Sequence, residues 1–196
     1  MPQYQTLSRF GVPLPAGSGR GGMLQPKYKY RFRVRVFSFG PISGGTEFSL
    51  QVQSVGRPKL QQEPVAVHAY NSVAYYAGKH TWQEIELVLK DDISNTISRL
   101  VGHQIQKQLN HFEQTGYVAA QNYKFSMYIE IMDGGNDGVL ETWYLEGCFV
   151  SNVNYGDLDY QESGFQTITL TIRYDNATQM DGYMPRNPDR TDGFNL

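Results

Sequence analysis

Along several stretches of the chain, apolar and polar residues alternate with a period of two, the pattern of strands with one buried face. In KYKYRFRVRVF, the odd positions Lys27, Lys29, Arg31, Arg33 and Arg35 fall on one face and Tyr28, Tyr30, Phe32, Val34 and Val36 on the other. EFSLQVQSV sets Phe48, Leu50 and Val52 against Glu47, Ser49, Gln51 and Gln53, and the Gly-rich turn GPISGG predicts that these two strands form a hairpin. WQEIELVLK places Ile85, Leu87 and Leu89 opposite Glu84 and Glu86. YKFSMYIEIM and ETWYLEGCFVSNV flank DGGNDG and read as a second hairpin. The closing strand, FQTITLTIRYD, turns Ile168, Leu170, Ile172 and Tyr174 inward and Thr167, Thr169, Thr171 and Arg173 outward.

One segment has a helical period instead. After DDIS, where Ser94 or an adjacent Asp can cap, come Ile97, Leu100, Val101, Ile105, Leu109 and Phe112, with Gly116 as terminator. The spacing predicts a helix over about 94–115. Its opposite face, Arg99, Gln104, Lys107, Gln108 and Glu113, should be wet or lie against a partner.

Residues 56–78 lose all periodicity and read as a long projecting loop or hairpin that contacts something. The expected organisation is a Gly- and Pro-rich flexible arm over 1–26, one antiparallel two-sheet β domain over 27–177 with a single inserted helix, and a polar tail over 178–196.

Composition narrows the function. The 196 residues carry 17 Lys and Arg against 19 Asp and Glu, without the positive excess of a chain that wraps DNA, so the basic row is local. The lone cysteine, Cys148, excludes an intrachain disulfide. No stretch has the apolar length of a signal h-region or a membrane span, which points to a cytosol-like compartment and no membrane insertion.

Catalytic and metal-binding patterns are weak. His68, His80, His103 and His111 lack metal-ligand spacing, and Cys148 sits mid-strand, where a buried inert thiol is expected. DGGNDG has Gly135 and Tyr144 where a calcium loop needs ligands, so it reads as a turn. The glycines Gly17, Gly19 and Gly22 match G-x-G-x-x-G without the strand–helix context that cradles phosphate. The expectation is no enzyme, no cofactor and no metal.

The basic row then needs an explanation. Same-face neighbours on a strand lie about 7 Å apart, and two like charges there repel by about 2 kcal/mol at an effective dielectric near 20. Partners from Glu47, Glu84, Glu86, Glu130 or Glu146 on neighbouring strands would relieve this, as would phosphates.

Three segments together resemble the tail tube protein of contractile-tailed bacteriophages: YKYRFRVRVFSFG, HTWQEIELVLKDDISNTISRLVGHQIQKQ, and ETWYLEGCFVSNVNYGDLDYQESGFQTITLTIRYDNA with its W-x-L-x-G strand and Gly-Asp-Leu-Asp turn. The resemblance spans about Tyr28 to Ala177. It implies a two-sheet β domain that completes a continuous β-barrel in a hexameric ring. Rings would stack into a tube inside a contractile sheath, forming the conduit for DNA ejection. The implied partners are further copies of the chain, the sheath protein, baseplate and tail terminator proteins, and DNA passing without sequence-specific binding. The implied location is the virion tail, assembled in the bacterial cytoplasm.

Under this reading Lys27, Lys29, Arg31, Arg33, Arg35, Glu47, Gln51, Gln53, Glu84, Glu86, Thr167, Thr169, Thr171 and Arg173 are candidates for the lumen or subunit interfaces. Arg57, Lys59, Tyr70, Tyr75 and Tyr76 are candidates for ring stacking. An unpaired basic row in each of six subunits would grip DNA, so the row should be neutralised by Glu or lie at an interface. The alternatives are a tube initiator of the baseplate, an inner-tube subunit of a phage-derived injection machine, or a soluble nucleic-acid-binding β-barrel. The last is disfavoured because Tyr28, Tyr30 and Phe32 point away from the basic face.

Overall fold

The computed structural model describes residues 27–41, 45–47, 51–116, 119–134, 138–161 and 163–181. The expected arm over 1–26 and most of the tail, from 182 on, lie outside these residues. The chain divides into two units, Met1–Arg31 and Phe32–Leu196. In the first, Lys27–Arg31 form a turn and not the start of a strand. There the Arg31 guanidinium lies 4.8 Å from the Tyr28 ring centre and 5.6 Å from that of Tyr30.

The second unit is built from two antiparallel sheets. Strand β1 (Phe32–Phe37) pairs on one side with β2 (Gly45–Glu47) and on the other with β9 (Phe125–Met132). β9 pairs with β10 (Val139–Asn154), as the expected hairpin requires, and β12 (Asn176–Asp181) pairs with the first half of β10. The second half of β10 pairs with β11 (Thr167–Arg173), followed by β6 (Ile85–Lys90) and β3 (Val52–Val55). β10 therefore belongs to both sheets.

It crosses between them at Gly147, where the pairing register shifts. Gly147 has φ +65, and a Cβ there would stand 2.1 Å from Asp175 Oδ2, so only glycine suits this crossing.

The core lies between the sheets. Val34 and Val36, Met127 and Ile129, Ile85, Leu87 and Leu89, and Ile168, Leu170 and Ile172 supply the inward positions of β1, β9, β6 and β11, as their alternation predicts. Cys148 is buried among them, and burial pushes its thiol up to about 12.

Four expectations change. The stretch read as one strand around residue 50 is split: β2 belongs to the first sheet, β3 to the second. The helix α1 runs from Thr96 to Gln108 only. Leu109–Asn110 and Thr115–Gly116 form a minute hairpin, β7 and β8, because the Asn110 carboxamide captures the Phe112 and Glu113 N–H groups at 3.1 and 3.4 Å, diverting them from a helical ladder. Phe112 is consequently 96% exposed and not part of the core. The tail begins later than expected, since residues 178–181 complete β12.

The patternless stretch is an ordered ribbon, β4 (Lys59–Ala69) and β5 (Ser72–Gln83), joined at Tyr70–Asn71. A bulge beside Pro64 accommodates its missing N–H. Gly78 lies opposite, where a Cβ would come within 2.5 Å of the Glu63 carbonyl.

Candidate assembly interface

Of the basic row, only Arg33 and Arg35 lie on a strand. Both converge on Glu130 of β9: Arg33 Nε donates to its Oε2 at 2.6 Å, and Arg35 Nη2 donates to its Oε1. Glu130 is 0% exposed. A carboxylate so buried costs several kcal/mol unless paired and hydrogen-bonded, and two guanidinium groups meet that need. Next to this cluster, Tyr128 stacks on Tyr144 of β10 with ring centres 4.5 Å apart, and Phe37 meets Tyr128 edge-on at 5.2 Å. Burial and the neighbouring Tyr144 raise the Tyr128 phenol.

Glu47 sits opposite Arg35 in the β1–β2 register, and its side chain lies outside the described residues. Gln51 is half-buried at the turn into β3, its carbonyl accepting from Lys90 N–H at 2.7 Å, and Gln53 is exposed on β3.

The outer face of the second sheet carries the other candidates. Thr167, Thr169 and Thr171 pair in register with Lys90, Val88 and Glu86. Arg173 Nη1 reaches Glu84 Oε1 at 3.3 Å, both side chains remaining substantially exposed. This face is polar, and its charges have both signs.

At the root of the ribbon, Arg57 Nη2 donates to Glu141 Oε1. The same carboxylate accepts from Trp143 Nε1 at 2.6 Å and from Gln179 Nε2 at 3.1 Å. Glu141 thus ties the ribbon's base to β10 and β12. Sequence reasoning missed it; the available signal was a carboxylate two positions before a tryptophan, hence on the inward face of its strand.

Beyond this root, no described residue covers the ribbon's large side chains. Tyr70, Tyr75 and Tyr76 are exposed, as are Val65, Val67 and Val73. Lys59 begins β4, opposite Gln83. From Pro64 to Gly78 the sequence contains neither acid nor Lys or Arg, so no charged positions mark its alternation.

The helix face expected to be wet is partly structural. Gln104 is fully buried: its Oε1 accepts from Gly40 N–H at 2.9 Å and its Nε2 donates to the Tyr123 carbonyl at 2.7 Å. Gln108 exchanges two bonds with the Val150 backbone, at 2.9 and 3.1 Å, standing where a neighbouring strand would pair with β10. Arg99, His103 and Gln106 remain exposed, and α1 carries no acidic residue. At the start of α1, Asp92 Oδ1 accepts from Thr96 N–H at 2.8 Å and its Oδ2 from Thr96 Oγ1 at 2.9 Å. These bonds, the backbone one foremost, hold the Asp92 carboxyl below its usual range.

Among the described residues no group of three or more His, Cys, Asp and Glu could hold a metal ion, and no helix is long and apolar enough to cross a membrane.

The fold, two antiparallel sheets sharing one strand, is similar to that of chains solved in phage-like injection machines. The chain superimposes on one from the cryo-EM structure of the anti-feeding prophage baseplate, with TM-score 0.64 and 15% identity over 81% of this chain and 98% of that one. A chain of the extended PVC sheath–tube complex, an extracellular contractile injection system, matches with TM-score 0.61 and 16% identity over 80% and 92%. The SPP1 tail tube matches with TM-score 0.54 and 7% identity over 82% and 81%. These neighbours come from a baseplate, a sheath–tube complex and a tail tube. No family model matches the sequence, and neither does the sequence of any curated protein.

Proposed function

We propose that the chain is a structural subunit of a phage or phage-like tail tube, the repeating unit of stacked hexameric rings. The observation that carries this reading is the two-sheet domain with its projecting ribbon, matched over four-fifths of the chain by injection-machine components. Ring closure would pair the open sheet edges, β2 and β12 in the first sheet, with those of neighbouring copies. The ribbon would reach a neighbouring copy, since a two-stranded hairpin with apolar faces is marginal in water by itself.

The lumen is assigned to the outer face of the second sheet, with Thr167, Thr169 and Thr171. Its hydroxyls and mixed charges would let a polyanion slide. Engagement of Arg33 and Arg35 by Glu130 argues against the reading in which this strand grips DNA. The exposed Arg99 and His103 of α1 offer a contact for a sheath protein. DNA would pass through the lumen without sequence-specific binding, inside an assembly built in the host cytoplasm.

The baseplate match favours a second reading, a tube initiator that forms one ring. Negative-stain electron microscopy of the purified protein, over a range of concentration and salt, tests both. Long hollow tubes of uniform width support the repeating subunit, and single rings support the initiator. A monomer that binds DNA in a salt-dependent way overturns both.

A further inference from the structure

β10 has β9 beside it only as far as Cys148, which pairs with Phe125. Beyond that point, among the described residues, β11 is the one strand that pairs with it. The second sheet therefore ends in β10 on one flank and in β3 on the other. The two edges differ. β3 is a four-residue strand with a register shift between Val52 and Ser54.

The edge of β10 is filled by a side chain instead. Gln104 and Gln108 lie one turn apart on α1, hence on the same face. Gln104 holds the Tyr123 carbonyl just before β9 begins. Gln108 takes the next slot: its Nε2 donates to the Val150 carbonyl at 2.9 Å, and its Oε1 accepts from the Val150 N–H at 3.1 Å. A carboxamide presents a donor and an acceptor as a peptide group does, so Val150 receives both bonds that an added strand would give it. The full burial of Gln104 fixes this end of the helix against the sheet. Past Val150, the edge that remains is Ser151 to Asn154, shorter than a typical strand.

We propose that Gln108 is an autoinhibitory plug, which keeps the β10 edge of the second sheet from adding the β3 edge of a second copy. A sheet that grows head-to-tail needs two unlike edges, both open, and closing one of them stops the series. The plug holds free chains apart at the second sheet and leaves the first-sheet edges, β2 and β12, to a neighbour. Its place in assembly rests on the tube reading.

Amide exchange and cross-linking of the full-length chain test this. Gln108→Met keeps the length of the side chain without its donor and acceptor, at a half-exposed position outside the core. The Val150 amide should then exchange roughly five- to tenfold faster. Sedimentation should show self-association at concentrations where wild type is monomeric. Gln108→Ala should behave alike, which separates an empty slot from a new contact of the thioether. The partner strand is checked with Ser54→Cys and Asn152→Cys, because pairing with Val88 and Thr171 sets both on the polar outer face. Cys148 is buried and does not compete. A short bismaleimide should join copies carrying this pair when Gln108→Met is present, and leave them largely unlinked when Gln108 is intact. Unchanged Val150 exchange, unchanged association, or association without that cross-link overturns the proposal. Microscopy separates it from the reading it rests on: tubes with Val150 exchange indifferent to residue 108 sink the plug alone, whereas the expected exchange and cross-linking in a chain that never forms rings sink the tube alone.

Discussion

Arg33 and Arg35 meet a carboxylate of their own chain on the face of the first sheet turned away from the core, whereas the β4–β5 ribbon lays its valines and tyrosines open to water. The difference separates two jobs. The body neutralises its two strand arginines with a carboxylate of the same chain. The ribbon has no interior of its own, and its apolar side chains are exposed. A row of charges on a strand therefore says less about a partner than an apolar run with no charge to define its faces.

This contrast can be broken at graded points. Glu130→Gln should have the largest effect, because it removes the charge of the buried carboxylate on which two guanidinium groups, each about one-fifth exposed, converge. The expected loss is about 2–3 kcal/mol, reduced from the value for a fully buried pair by that exposure. Urea denaturation of the monomer measures it, and an unchanged midpoint would show that the cluster is not a stabilising element.

Gln104→Ala should follow, costing about 1–3 kcal/mol, since the Gly40 N–H and Tyr123 carbonyl lose their shared partner. Thermal unfolding would register it. Arg57→Ala should cost less than about 1 kcal/mol of global stability, because the guanidinium is more than half exposed. Its sharper expected effect is local: faster proteolysis within the ribbon, with the body's thermal midpoint nearly unchanged.

Asp92→Asn should have the smallest effect, and one confined to a pH window. The folded carboxyl lies below its ordinary value of 3.8. Its contribution is present above that value and disappears as pH falls through the lower folded value. Wild type and variant should therefore differ slightly at neutral pH and converge in acid, as followed by helix circular dichroism.

Much of the body was legible in the sequence because its strands obey a simple period. The inward Val34 and Val36, the triplet Ile85, Leu87 and Leu89, and its partner Ile168, Leu170 and Ile172 all fall where alternation puts them. What escaped notice was polar and nonlocal. Gln104 looks like a solvent residue until Gly40 and Tyr123 arrive from distant parts of the chain. Glu141 gives no hint that Arg57 and Gln179 will share its carboxylate. Helix length failed at Asn110, where a local side-chain bond overrode an apolar spacing that otherwise continued to Phe112. Among the candidate surfaces, the basic row split into a turn and two paired arginines, a division that depends on where β9 begins to pair.

One further property follows from the strand that changes sheets at Gly147. Because β10 is hydrogen-bonded to β9 and β12 in its first half and to β11 in its second, the sheets cannot shear past each other without tearing a shared backbone. A pull on the ribbon enters the first sheet through Arg57 and Glu141 and the second through β6, and both routes converge on this strand. In mechanical terms the domain has a single tie bar, and traction from a neighbour would be shared across its whole width.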